Sequence, residues 1–292
     1  MKRSKGMVKD EKLQLKAEID RRSGFCFGVV KAVEKAEALL DKGQRVYSVG
    51  QIVHNDEEVK RLREKGLITI THQEIHELQG ENILFRAHGE PPETYERVKR
   101  HNNVLMDATC PIVLKLQRDV RKAWQEGREI FIFGKPGHPE VKGLVGQTDG
   151  QARVFQNMRE LQDMNIPYSL TLFSQTTMNP DTYQQAAEYL KSHGARVDMR
   201  DTICRQVSGR EEELRDFSRH HDRIVFVAGR HSSNGRMLYE ICQSHNARSH
   251  FVSASREVQK EWFGPGEKVG VCGATSTPQW LLEEVREKIE SF

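Results

Sequence analysis

The chain has 292 residues, 37% hydrophobic and 30% charged, an ordinary globular composition long enough for roughly two domains. Its 45 basic and 42 acidic residues leave a net charge of +3, too small to mark a nucleic-acid partner. No run approaches the ~20 apolar residues of a membrane span. The charged stretch 1–11 lacks a signal-peptide core, and five cysteines, an odd number, argue against a disulfide framework and for a reducing cytoplasm.

Residues 1–12 fit no pattern and are expected to form a short flexible tail. Leu13, Leu15, Ala17 and Ile19 then alternate with polar neighbours, as a half-buried strand does. After Gly24-Phe25-Cys26-Phe27-Gly28, one helical face carries Val29, Val33, Ala36 and Leu40, Gly43 stops it, and 46–49 reads as a strand. Cys110 opens the same series. Pro111 suits the first helical position, the face is Val113, Leu116, Val120 and Trp124, Gly127 is the stop, and 130–133 is the strand. Cys204 opens it again, with a polar helix predicted over about 208–219 and a strand over 224–227.

The spacing makes this a repeat. Val46, Ile130 and Ile224 each lie 20 residues after Cys26, Cys110 and Cys204, and His54, His138 and Ser232 each lie 28 after them. Helical stretches follow, as at 56–65 and 235–244. Strands at 83–85, 170–173 and 268–272 then run into polar loops and helices led by Pro92, Pro180 and Pro278. Strands at 104–106 and 196–199 lead to the next cysteine. The third unit lacks such a strand, and 13–19 is the candidate to supply it.

The fold predicted is α/β: three similar domains with mainly parallel sheets, 26–109, 110–203 and 204–292, with 13–25 an N-terminal strand segment joining the third. Ligands of such sheets bind beyond the carboxyl ends of the strands, where all three cysteines and the polar loops lie, so one central site is expected.

Three gathered thiolates, one per unit and without zinc-ribbon pairing, suit an iron–sulfur cluster, zinc or copper(I). Cys242, within a helix, and Cys272, within a strand, read as small buried hydrophobes. His54, His88 and His138 border loops at strand ends, and Ser232, Ser233, Asn234 and Ser276 hold matching places in the third unit. Imidazole, hydroxyl, amide and helix N-terminal donors with few carboxylates suit a phosphate or diphosphate without obligatory magnesium. Glu140 is the one carboxylate of the set, either an acid satisfying the first turn of a helix or a general acid. Thr176, in the later loop of the same unit, can pass a proton or orient a substrate hydroxyl.

Taken together, Gly24-Phe25-Cys26-Phe27-Gly28-Val29, Val53-His54-Asn55, Arg86-Ala87-His88-Gly89, Asp107-Ala108-Thr109-Cys110-Pro111, Gly137-His138-Pro139-Glu140, Gln175-Thr176-Thr177, Asp201-Thr202-Ile203-Cys204, Ser232-Ser233-Asn234 and Ser276-Thr277-Pro278 resemble one family, the 4-hydroxy-3-methylbut-2-enyl diphosphate reductases (IspH or LytB). The resemblance implies a pseudo-threefold trefoil around a central [4Fe–4S] cluster. Cys26, Cys110 and Cys204 would hold the cluster, and the substrate hydroxyl would bind its open iron. It implies the last step of the non-mevalonate isoprenoid pathway, the reductive removal of the C4 hydroxyl of an allylic diphosphate, with reduced ferredoxin or flavodoxin as electron donor. By the same resemblance His54, His88, His138, Ser232, Ser233, Asn234 and Ser276 would hold the diphosphate, and Glu140 would deliver protons with Thr176 beside it. The sequence departs from the family where Val207 replaces the usual threonine after the third cysteine, and in the loop Cys272-Gly273-Ala274-Thr275 before Ser276. The rival readings are an aconitase-like iron–sulfur hydro-lyase and a non-catalytic metal-binding module.

Overall fold

The computed structural model describes residues 12–292, without the side chains of 207 and 208. All but the last position of the expected tail, and the Val207 side chain, lie outside the described residues.

The chain opens with β1 (Lys16–Ile19), α1 (Phe27–Leu40), β2 (Val46–Val49), α2 (Asp56–Glu64), β3 (Leu67–Ile70), β4 (Asn82–Phe85), α3 (Pro92–Arg100) and β5 (Val104–Asp107). It continues through α4 (Pro111–Gln125), β6 (Ile130–Phe133), α5 (Pro139–Gly146), β7 (Arg153–Phe155), α6 (Met158–Gln162), β8 (Ser169–Ser174), α7 (Pro180–Ser192) and β9 (Arg196–Met199). The last third holds α8 (Arg205–Ser208), α9 (Arg210–Arg219), β10 (Arg223–Val227), α10 (Ser233–His245), β11 (Ser249–Val252), β12 (Lys268–Gly273) and α11 (Gln279–Glu290).

These strands form three four-stranded parallel sheets, ordered β3-β2-β4-β5, β7-β6-β8-β9 and β11-β10-β12-β1, an α/β trefoil. Each position has its counterpart in the other two sheets. The strand before each cysteine, β5, β9 or β1, forms one edge, and a strand that the sequence did not announce, β3, β7 or β11, forms the other. The strand at 13–19 is shorter than its alternation suggests. Gln14 has a φ of 52°, in the left-handed region, and extended pairing with β12 starts only at Lys16. The helix expected over 208–219 is two helices, α8 and α9, meeting at Gly209.

Each sheet is covered on both faces, as parallel sheets require. In β10, Val225 and Val227 pack toward α11, while Ile224 and Phe226 pack on the other side with Leu214 of α9 and Leu238 of α10. Cys242 and Cys272 belong to that second layer and are fully buried core residues. In the second sheet Phe131 and Phe133 face α7, and Ile130 and Ile132 face α4. Between units, the Trp280 indole N–H donates to Glu58 Oε2 at 2.8 Å, and Glu58 also accepts from Arg61 at 2.7 and 2.8 Å.

One buried ion pair fastens the segment before Cys26 to the third sheet. Arg210 Nη2 lies 2.7 Å from Asp20 Oδ2, and the same guanidinium donates to Ser23 Oγ and to the Gly273 carbonyl, each at 3.1 Å. Ser23 completes the network by donating to Asp20 and accepting from the Gly273 N–H, each at 2.7 Å. Arg210→Ala would leave Asp20 buried without its counter-charge. Urea unfolding should show a loss of about 3–5 kcal/mol, the usual cost of breaking a buried pair from one side.

Candidate functional site

The strand ends place the cysteines. Cys26 and Cys110 are the N-cap residues of α1 and α4, and Cys204 immediately precedes α8. Each is pinned through its own N–H to the carbonyl of a neighbouring loop: Cys26 to Thr275 at 3.1 Å, Cys110 to Ala87 at 3.0 Å and Cys204 to Thr176 at 2.8 Å. These bonds align three loops in which Ala87-His88, Thr176-Thr177 and Thr275-Ser276 are equivalent. Gly28 allows two thiols to approach each other, because a Cβ there would lie 2.9 Å from both Cβ and Sγ of Cys110. Gly229 does the same between units, since its Cβ would stand 2.2 Å from the His54 carbonyl oxygen.

Every residue singled out in the sequence borders one cavity of about 110 Å³: the three cysteines, the three histidines, Glu140, Thr176, Ser232, Ser233, Asn234 and Ser276. Thr177, Thr275 and Gln206 also line it and were not foreseen. The repeat held the signal for the two threonines: Thr177 occupies the place of His88 and Ser276, and Thr275 that of Ala87 and Thr176. A larger open groove of about 830 Å³ beside β3 is lined by Arg45, Arg63 and Lys65 but by no thiol or imidazole.

The histidines form a compact triad, with ring centroids 5.0 Å apart for His54 and His88, 5.7 Å for His54 and His138, and 5.4 Å for His88 and His138. His138 caps α5 by accepting the Glu140 N–H at 3.2 Å. Burial drives all three toward the neutral form, helped by Arg86. His138 is pushed down to about 3, and His88 stands well below its ordinary value. Their ligand atoms lie within 4.8 Å of one another, close enough for a metal ion. The positive charges of Arg86 and Lys135 beside them oppose a cation and favour an anion. His54 Nε2, His88 Nδ1 and Asn234 Oδ1 are buried without hydrogen-bond partners among the described residues, as groups awaiting a polar ligand are. On the third unit Ser232 caps α10 by accepting the Gly235 N–H at 3.0 Å and lies 3.3 Å from Ser276 Oγ. Asn234 donates to Thr275 Oγ1 at 2.7 Å.

Glu140 is 2% exposed and held by one residue: Oε1 accepts the Thr176 N–H at 2.7 Å and Oε2 the Thr176 hydroxyl at 2.8 Å. Burial outweighs those two donors and pushes its carboxyl up to about 7. Burial also raises the Cys26 thiol, with Cys110 adding to it, against the N–H groups of Gly28 and Val29. The helix start alone therefore does not favour a thiolate at Cys26. A positive centre among the three sulfurs would, and soft donors converging on one point fit an iron–sulfur cluster or another thiophilic metal.

The LytB protein family pattern matches residues 18–290. A relative from Bacteroides thetaiotaomicron, a 4-hydroxy-3-methylbut-2-enyl diphosphate reductase, is 47% identical over 94% of this chain and 98% of its own length. The solved structure of (E)-4-hydroxy-3-methyl-but-2-enyl diphosphate reductase, described as the terminal enzyme of the non-mevalonate pathway, superposes with a TM-score of 0.74 at 30% identity, over 95% of this chain and 99% of the other. The Plasmodium falciparum E-1-hydroxy-2-methyl-but-2-enyl-4-diphosphate reductase gives a TM-score of 0.81 at 26% identity, over 92% of this chain and 86% of that one.

Difference infrared titration should find a buried carboxyl changing state near pH 7, absent in Glu140→Gln. Its folded-state value lies above that of an exposed glutamate, so the contribution to stability is complete below about pH 4 and is lost as the pH rises through about 7. Wild type should therefore lose stability relative to Glu140→Gln between about pH 5 and about pH 8, by on the order of 2–3 kcal/mol.

Proposed function

This chain belongs to the LytB protein family, and on that premise we propose that it carries out the reductive dehydroxylation of (E)-4-hydroxy-3-methylbut-2-enyl diphosphate. Two electrons and two protons replace the C4 hydroxyl, which leaves as water, giving isopentenyl and dimethylallyl diphosphate. The observation that carries the reading is the meeting in one cavity of three cysteines at helix starts, a protonatable buried carboxyl and an anion-binding set. The units 26–109, 110–203 and 204–292, the last with 13–25, serve in this reading as the three lobes of the site.

Cys26, Cys110 and Cys204 would hold a [4Fe–4S] cluster, which supplies electrons, and an iron without a protein ligand, to an allylic carbon–oxygen bond. The diphosphate lies against His54, His88, His138, Ser232, Ser233, Asn234 and Ser276. The α10 N-terminus contributes its unpaired N–H groups there. An anion among neutral imidazoles favours their charged forms, so substrate binding takes up protons. Glu140, protonated in part at neutral pH, delivers a proton toward the reacting carbon and oxygen. Thr176 holds its orientation, and by rotation its hydroxyl changes from donating to the carboxylate to accepting from the acid. Reduced ferredoxin or flavodoxin supplies the electrons.

Anaerobic incubation with the hydroxymethylbutenyl diphosphate and a low-potential reductant should give both products. A hydro-lyase would turn over without a reductant, and colourless protein with stoichiometric zinc would eliminate the cluster. Cys110→Ser should lose the brown colour and turnover together. Glu140→Gln should keep diphosphate binding, measured by calorimetry, and turn over slower by about 10²-fold or more, the usual weight of a general acid.

A further inference from the structure

A second groove, of about 550 Å³, opens on the outer side of Cys26 and shares Cys26, Gln206 and Thr275 with the central cavity. A molecule docked there would meet Cys26, one of the three thiols of the central cavity. Its lining includes four arginines, Arg21, Arg22, Arg205 and Arg210, and no carboxylate. Two of these charges are engaged, Arg210 in the buried pair with Asp20 and Arg22 with Glu213 at 3.0 Å on the surface. Arg21 and Arg205 are exposed and form no ion pair among the described residues. Beyond Arg21 and Arg22 the surface is mixed in charge, Glu212, Glu213 and Asp216 alternating with Arg215 and Arg219, whereas the lining that shares Cys26 holds no carboxylate.

Apolar surface is also exposed at the helix starts that follow two of the cysteines. Phe27, the residue after Cys26, is 54% exposed with Lys31 Nζ 4.3 Å from its ring centroid, and Ile112, two residues after Cys110, is 45% exposed. An exposed aromatic ring with a cation over it, as at Phe27 and Lys31, marks a contact surface better than a solvated one. Transient electron-transfer complexes are small, burying less than about 1,200 Å², and are steered by opposite charge more than held by area.

We propose that this groove, with Arg21, Arg205 and the neighbouring Phe27, is where an acidic one-electron carrier protein of the ferredoxin type docks. The inference rests on the reductase reading above and adds the place of electron entry. Each encounter oxidises one carrier by one electron, and two encounters with two protons balance the cleavage of one C–O bond, the formation of one C–H bond and the release of one water.

The test is the double charge reversal Arg21→Glu/Arg205→Glu in cluster-loaded protein, with Arg21→Lys/Arg205→Lys as the charge-keeping control. The first readout is binding of an oxidised two-[4Fe–4S] ferredoxin by calorimetry at low and high salt, with the basic carrier cytochrome c as counter-probe. The dissociation constant should rise about tenfold or more in the reversal variant and lose its salt dependence, while the lysine variant and wild type stay alike. The second readout is turnover, which should fall with reduced ferredoxin and stay unchanged with dithionite. Ferredoxin binding that is absent, unaltered by the reversal, or matched by cytochrome c overturns the docking face. Wild type that binds ferredoxin but gives no product with either reductant instead defeats the reductase reading and leaves the face standing.

Discussion

Three backbone hydrogen bonds hold the site in register: the amides of Cys26, Cys110 and Cys204 on the carbonyls of Thr275, Ala87 and Thr176. Each joins the segment leaving an edge strand to the loop leaving the strand beside it in the same sheet. A parallel sheet sends both segments out at the same end, so the bond needs no special loop geometry, only the sheet. Repeated three times, it gathers the starts of three helices at one volume. The partial positive charge at helix starts then favours negative charge there, whether sulfur or phosphate.

Desolvation acts on this volume in opposite directions with one result. It lowers the histidines and raises Glu140 and Cys26, so the titratable groups for which burial dominates move toward their neutral forms. The lasting positive charge comes from Arg86 just behind the histidines, 7% exposed and tethered to the Gln51 carbonyl at 3.1 Å. A pocket of this kind stays uncharged at its surface yet remains attractive to an anion.

The cysteine-to-strand offset of 20 and cysteine-to-loop offset of 28 were enough to read the repeat and the shared cavity from the sequence. The outer strands β3, β7 and β11 escaped because, unlike β2 and β6, which are buried throughout and read as apolar runs, they mix buried with exposed or half-buried positions and no cysteine offset marks them. The late start of β1 hangs on the φ of Gln14, a local backbone choice that side-chain periodicity does not record. Glu140 could be named from its motif. Its exclusion from water, and with it the value near 7, depends on packing contributed by a loop 36 residues away.

The strand β1 completes a sheet whose other members come from the far end of the chain, and the Leu13 N–H meets the carbonyl of Phe292 at 2.9 Å. Pairing alone thus joins the segment before α1 to the third unit. During synthesis β1 must wait, unpaired, until β12 has left the ribosome, while the other two sheets can assemble as they emerge. The Cys26 corner, which hangs on Thr275, is then the last of the three to form, and the cavity the cysteines share is complete only after that long-range closure.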